Sequence, residues 1–334
     1  MKKGMKKALT PATYWPILLV AAAFALLPLG LSSNTMFNFL TFAMIITLAA
    51  QGWNVIGGFG GQFSFGHAAF FGTGAFAMAL LQVRFAINPW LALPLAAALG
   101  ACTGCIIGYL SFRARLRGSY FALVTLAFAE VLRILANAWG FTGGAAGVLV
   151  PLRLDPAQMQ FNDRRIFYWL ALLLVAVVLG ASRFMMRSRF GAQLIAVREN
   201  EDAARALGVN TLVVKLNALI ISAAITAAAG ALYTQKFLYL DASLAYGSWI
   251  SVDALLAPII GGLGTVFGPL VGTIVLLGLG EITKTLFAEL TGGALPGVDL
   301  VAFGVLLILC VALAPRGVIG LAAGITIKAQ GATR

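Results

Sequence analysis

Apolar residues fall in long runs along this chain, and the polar and charged positions collect in the intervals between them. A helix needs about 20 largely apolar residues to cross the hydrocarbon core of a bilayer, where its backbone amides must be satisfied within the segment. By that measure ten spans are predicted, at about 15–31, 35–56, 68–83, 89–112, 120–137, 166–182, 212–235, 240–260, 269–287 and 298–314. The fold class that follows is all-α: a polytopic integral membrane protein of about ten transmembrane helices, with one or two broken or re-entrant segments. The eighth span is the weakest, because Asp241, Gly247, Asp253 and Pro258 interrupt it, and the tail would change sides if it failed to cross.

Charge supplies an orientation. With the amino terminus inside, sixteen Lys and Arg residues fall on inner segments and five on outer ones, with Arg133 and Lys284 near span ends left uncounted. Cytoplasmic loops collect positive charge, so both termini are expected inside. The lysines ahead of the first apolar run also resemble a secretory leader, but the run is long for one and 29–33 lacks an A-x-A site. An uncleaved first helix is expected.

Composition removes several function classes. The 334 residues are 61% hydrophobic and 10% charged, with a mean hydropathy of +0.96, whereas a soluble domain carries about 25% charged residues. The expected organisation is a basic cytoplasmic amino terminus at 1–14, one transmembrane domain at 15–315 with a cytoplasmic segment at about 189–210, and a cytoplasmic tail at 316–334. A formal charge of +12 would suit nucleic acid, but the cations alternate with apolar runs and form no stripe, so no nucleic-acid partner is expected. Cys102 and Cys105 form a C-x-x-C inside an apolar run, beside Gly100, Gly104 and Gly108 at four-residue spacing. Small residues at that spacing let a neighbouring backbone approach, so both cysteines are read as packing residues. With His67 the chain's one histidine, and Cys310 the remaining cysteine, no four-ligand zinc set is available.

The first segment with chemical content is Gly57-Gly58-Phe59-Gly60-Gly61-Gln62-Phe63-Ser64-Phe65-Gly66-His67. Glycine costs a helix about 1 kcal/mol per residue relative to alanine, so a helical break is predicted. Non-helical backbone at membrane depth fits a transport pathway, and a tightly packed cytoplasmic turn fits the same residues. A shorter echo of the segment occurs at 261–268 and hints at duplicated halves. Ser64 and His67 raise the possibility of an intramembrane hydrolase, but three residues along one segment provide no orienting carboxylate or oxyanion site.

Glu130 and Arg133, near the end of the fifth span, are spaced to pair, as are Glu281 and Lys284 in the ninth. Intramembrane charge points to function by default, although a structural ion pair near the interface accounts for Glu130 and Arg133 as well. Asp253 poses the same question. The outer loop opens with Phe141-Thr142-Gly143-Gly144-Ala145-Ala146-Gly147, whose amides suit a carboxylate or a plain flexible loop. The loop runs on to Arg165, long enough to meet an extracytoplasmic partner.

The sharpest pattern spans 189–210. Asn200 is placed to cap a short helix, Glu201 and Asp202 fall in its first turn, and Gly208 can end it. Ala203, Ala204 and Leu207 give it a small apolar side, suited to entering a groove on another protein.

Asp202-Ala203-Ala204 followed by Gly208 resembles the E-A-A-x-x-x-G coupling motif of ABC importer permeases, with Asp in place of Glu. The stretches 60–72, 120–130 and Arg198-Glu199-Asn200-Glu201 are similar to the LivM-type permease subunits of branched-chain amino acid importers, in matching order across about 35–315. The resemblance implies an ATP-driven importer of Leu, Ile or Val in a bacterial inner membrane. Its parts would be this chain, a second related permease, two cytoplasmic ATPase subunits and a periplasmic amino-acid-binding protein, all set against membrane lipid. Arg198, Glu199, Asn200, Glu201, Asp202, Ala203, Ala204 and Gly208 would carry the coupling, and Gln62, Ser64, His67, Thr125, Glu130, Thr142 and Gly143 would border the pathway. No phosphate-binding G-x-x-x-x-G-K-[ST] occurs, so ATP and Mg are expected on the partner subunits, with no cofactor and no catalytic site on this chain. Related permeases carry urea, amides or aromatic acids. An ion-driven secondary transporter using Glu130, Asp253 or Glu281 is the reading outside the family.

Overall fold

The computed structural model describes residues 11–30, 33–291, 297–313 and 317–320. Residues 1–10 of the basic amino terminus, and the tail at 316–334 apart from 317–320, lie outside them, with the cations they carry. In chain order the helices are α1 Pro11–Gly30, α2 Asn34–Trp53, α3 His67–Val83, α4 Pro89–Arg113, α5 Ser119–Ala138, α6 Arg164–Met186, α7 Arg189–Glu199, α8 Glu201–Ala206, α9 Thr211–Phe237, α10 Ala242–Ala245, α11 Ser248–Gly261, α12 Gly268–Thr291 and α13 Val298–Leu313. Among the described residues seven helical segments are long and apolar enough to cross a membrane: Asn34–Phe59, Pro89–Arg113, Ser119–Ala138, Arg164–Met186, Thr211–Phe237, Ala242–Gly261 and Gly268–Glu289. Trp15–Pro28 and His67–Val83 are shorter apolar helices. The chain is an all-α, multi-pass membrane protein.

Helix α9 is the hub, packed along α4, α3 and α2. Small side chains make this possible, because lipid tails are as apolar as leucine and close van der Waals packing must hold the helices together. A Cβ at Gly100 would overlap Ala227, and one at Gly104 would overlap Ala223, so the four-residue glycine stripe of α4 lies against α9 as its spacing predicts. Gly74 of α3 sits on the carbonyl of Ala227, and Gly230 of α9 sits on the carbonyl of Phe71. The cysteines differ from expectation: Cys102 is exposed and Cys105 half-buried, while the glycines are buried.

The two weak places in the apolar pattern are where the helices break. Beyond Trp53, α2 widens into a π-helical turn, Asn54–Phe59, and the backbone then runs non-helically to Gly66. Trp53 is fully buried and donates from Nε1 to the Ser64 carbonyl at 2.7 Å, while its ring fills the space a side chain at Gly57 would need. The predicted eighth span is also interrupted. Tyr239–Leu240 forms a short antiparallel pair with Val148–Leu149 (β2 and β1), Asp241 caps α10 through the Leu244 amide at 2.8 Å, and Tyr246–Gly247 separates α10 from α11.

Candidate functional site

Between α6 and α9 the chain makes an elbow of two short helices. Ser188 Oγ accepts from the Gly191 amide and starts α7. Asn200 leaves helical geometry and accepts from the Asp202 and Ala203 amides at 3.1 and 2.9 Å, starting α8. Gly208, at φ +84°, ends the turn in the left-handed region where glycine carries no Cβ penalty. The apolar side differs from expectation: Ala204 is buried against the chain's own body, Ala203 faces outward, and Leu207 is 85% exposed. No other large apolar residue of the described chain is as exposed.

Glu201 anchors the elbow. It accepts from Lys215 Nζ at 2.9 Å and lies within 3.3 Å of Arg117 and 3.2 Å of Arg205. Lys215, almost fully buried on the first turns of α9, also stands 4.9 Å above the Phe112 ring. Arg117 reaches Asp202 as well, at 3.1 Å. Three elements are thereby tied together: the α4–α5 loop, α8 and α9. Burial acts to raise the Glu201 carboxyl, but the Lys215 hydrogen bond and the charges of Lys215 and Arg117 outweigh it and hold the group below its ordinary range. The Arg117 hydrogen bond, then its charge, holds Asp202 down as well.

A carboxylate lowered in the folded state contributes stability above its unfolded value, and that contribution is lost as pH falls through the folded value. Melting of the purified chain is therefore expected to drop as pH falls below the ordinary carboxylate range of about 4. Glu201→Gln with Asp202→Asn should flatten that drop. An equal drop in wild type and variant would place the acid sensitivity elsewhere.

The elbow also touches the first glycine-rich break. The Arg198 stem lies over Gly61, at φ +66°, where a Cβ would stand 2.5 Å from Arg198 Cγ. The Arg198 guanidinium donates to the Gly58 carbonyl at 3.2 Å and pairs with Glu199 at 2.6 Å. The second glycine-rich stretch meets the same place. Asn54 accepts from the Gly264 amide at 3.0 Å and donates to the Thr265 carbonyl at 2.9 Å, while Gln51 donates to the Val266 carbonyl at 2.8 Å. The two sequence echoes thus lie against each other, one of them in direct contact with the elbow.

The remaining candidates separate into three places. Ser64, His67 and Thr125 are buried together behind the first break: the Thr125 hydroxyl accepts from the Phe65 amide at 3.2 Å, and Ser64 Oγ accepts from the Gly66 amide at 3.2 Å. His67 Nε2 stands 2.9 Å from Ser222 Oγ on α9, so histidine and Ser64 do not form the pair a hydrolase would need. His67 Nδ1 and Gln62 Oε1 are buried and meet no hydrogen-bond partner among the described residues. On α5, Glu130 and Arg133 pair, with Arg133 Nε 3.0–3.1 Å from the carboxylate, and both project from the outer face of the described bundle. Glu130 stands about 17 Å along α5 from its start at about 1.5 Å per residue, and Arg133 lies one turn nearer its end at Ala138. Thr142 and Gly143 close the far end of α5. The Thr142 hydroxyl donates to the Ala136 and Trp139 carbonyls, while the Gly143 and Gly144 amides donate to Gly140 and Trp139, so the loop's own turns engage these groups. Asp253 is partly exposed on α11, and Glu281 and Lys284 form no ion pair with each other among the described residues.

Sequence reasoning passed over Lys215, Ser222 and Leu207's prominence. A lone lysine one turn inside a predicted span was the available signal for Lys215. Nothing local signals Ser222, which acquires its partner through packing of α9 on α3.

A family model described as the permease component of branched-chain amino acid transport systems matches residues 35–311. The LivM permease protein of the high-affinity branched-chain amino acid transport system of Escherichia coli (strain K12) is 31% identical over 274 residues, covering 73% of this chain and 62% of the relative. The corresponding Salmonella typhimurium LivM shows the same identity and coverage over 269 residues. The E. coli LivH permease protein of the same-named system is 24% identical over 302 residues, covering 85% of this chain and 94% of the relative. The chain thus spans 62% of the length of the LivM relatives. No solved structure matches.

Proposed function

From the premise that this chain belongs to the family of branched-chain amino acid transport permease components, we propose that it forms one half of the membrane pathway of an ATP-driven importer for leucine, isoleucine and valine. The observation that carries the coupling part of this reading is the elbow: a doubly capped pair of helices, braced by Glu201, that holds a bare Leu207 clear of the bundle. In this reading the elbow lies on the cytoplasmic side of a bacterial inner membrane, both termini share that side, and the chain crosses ten times. The partners are two cytoplasmic ATPase subunits that seat the elbow, a second permease, and a periplasmic binding protein. Two differently named E. coli permease proteins whose names share one system designation are among the relatives, which supports a paired permease. The face of α5 bearing Glu130 and Arg133 suits that pairing, because a charge pair within a spanning helix is costly against lipid. The folded outer segment 139–163 exposes Leu149, Leu152 and Leu154, a surface suited to the binding protein. The chain itself performs no covalent chemistry.

Force from the ATPases reaches the bundle through Arg198, which joins α7 to the glycine-rich break. Arg198→Ala is expected to reduce uptake severalfold while the ATPase subunits still copurify with the chain. Unchanged uptake would remove Arg198 from the route. The whole reading is tested in proteoliposomes. Leucine should accumulate with ATP only when the second permease, ATPases and binding protein are present. Uptake by this chain alone under a proton or sodium gradient would overturn it in favour of a secondary transporter.

A further inference from the structure

Beside the elbow, and sharing Glu201 and Gly208 with it, lies a cavity of about 650 Å³ whose interior the transport reading leaves without an occupant. It opens between the end of α4 and the turn from α8 into α9. Arg113, Arg115, Arg205 and Lys215 supply four cations to its wall against one carboxylate, Glu201. Arg205 and Lys215 are engaged with that carboxylate. Arg113 and Arg115 have no carboxylate partner among the described residues; Arg113 lies 5.8 Å from the Tyr109 ring, and Arg115 is held at φ +56°, outside the region a side chain prefers.

The surroundings specify the kind of anion. On α4, Leu110 and Ile106 stand one and two turns before Arg113 on the same helix face, and both are apolar and exposed. An exposed apolar strip therefore leads along α4 to Arg113 in the cavity wall, at the end of a spanning helix, the depth at which lipid headgroups sit. A soluble anion would use the cations and leave the apolar approach without a role. We propose that this cavity binds the phosphate-bearing headgroup of an anionic phospholipid, with an acyl chain lying along Ile106 and Leu110. Because Glu201, Arg205 and Lys215 also brace the elbow, the bound lipid would touch the same bracing side chains. The inference depends on the chain spanning a bilayer and not on what it transports.

The test uses the full chain in nanodiscs of mixed phosphatidylglycerol and phosphatidylcholine, with retained lipids counted by native mass spectrometry. One phosphatidylglycerol per chain should be held in preference to phosphatidylcholine. A basic side chain near an anionic headgroup is worth about fivefold in binding, so Arg113→Gln with Arg115→Gln should lower retention roughly thirty-fold, and Arg113→Gln alone about fivefold. Melting in pure phosphatidylcholine should be unchanged by either variant, and if the double variant fails this control the single one decides. Equal retention by wild type and Arg113→Gln would overturn the proposal. So would displacement of the lipid by millimolar inorganic phosphate or glycerol phosphate, which would assign the cavity to a soluble anion. Loss of the retained lipid whenever ATPase subunits are bound would assign it to protein docking instead.

Discussion

ATP-driven uptake is expected to fall at least about tenfold in Leu207→Asp, with the melting temperature of the isolated chain unchanged. Leu207 makes almost no contact within its own chain, so its replacement removes nothing from the fold. Seating a leucine in a partner's groove is worth about 1.5–3 kcal/mol, and an aspartate in the same groove adds a desolvation cost. The effect should appear as loss of ATPase subunits on copurification, in parallel with the loss of uptake. Ala203→Asp, one turn away and also exposed, should act in the same direction. Wild-type copurification by both variants would mean that the elbow is not where the motor seats.

The largest effect on folding is expected at the crossing of α3 and α9. Gly230→Val should abolish a monodisperse folded chain, because its Cβ would enter the Phe71 carbonyl and approach the Ala75 amide. Backbone cannot yield as a flexible side chain does. Overpacking of even ordinary core sites costs about 1–3 kcal/mol, and here two hub helices would have to separate. The comparison is Gly180→Val on α6, where an added Cβ meets nothing within 4 Å; it should be nearly silent, apart from the helix preference that favours removing glycine. Fluorescence-detected size exclusion with thermal challenge separates the outcomes. A well-folded Gly230→Val would show that α3 and α9 are not in the close contact described.

Much of this was legible along the chain because it is local. Runs of about twenty apolar residues specify spanning helices whatever surrounds them, and the glycine density at 57–66 forbids regular helix there. Asn200 as a cap and Gly208 as a stop follow from which side chains can satisfy a helix end and which residue tolerates a positive φ. The glycine stripe of α4 announced a close helix contact without naming its partner.

Tertiary packing decided the rest. In a water-soluble helix the apolar stripe marks the buried face, but helices that are apolar all round carry no such mark, since lipid and protein core are equally apolar. The chain's residues therefore could not say that Ala204 turns inward while Leu207 stands clear, or that the Glu130 and Arg133 pair projects from the bundle. Nor could they say that His67 answers to Ser222, 155 positions away, and not to Ser64 beside it. The meeting of Arg198 with Gly58, and of Lys215 with Glu201, likewise exists only once α7, α8 and α9 have settled against the bundle. Spacing along a chain specifies what each segment can become, and only the packing of distant segments specifies which side chains share a site.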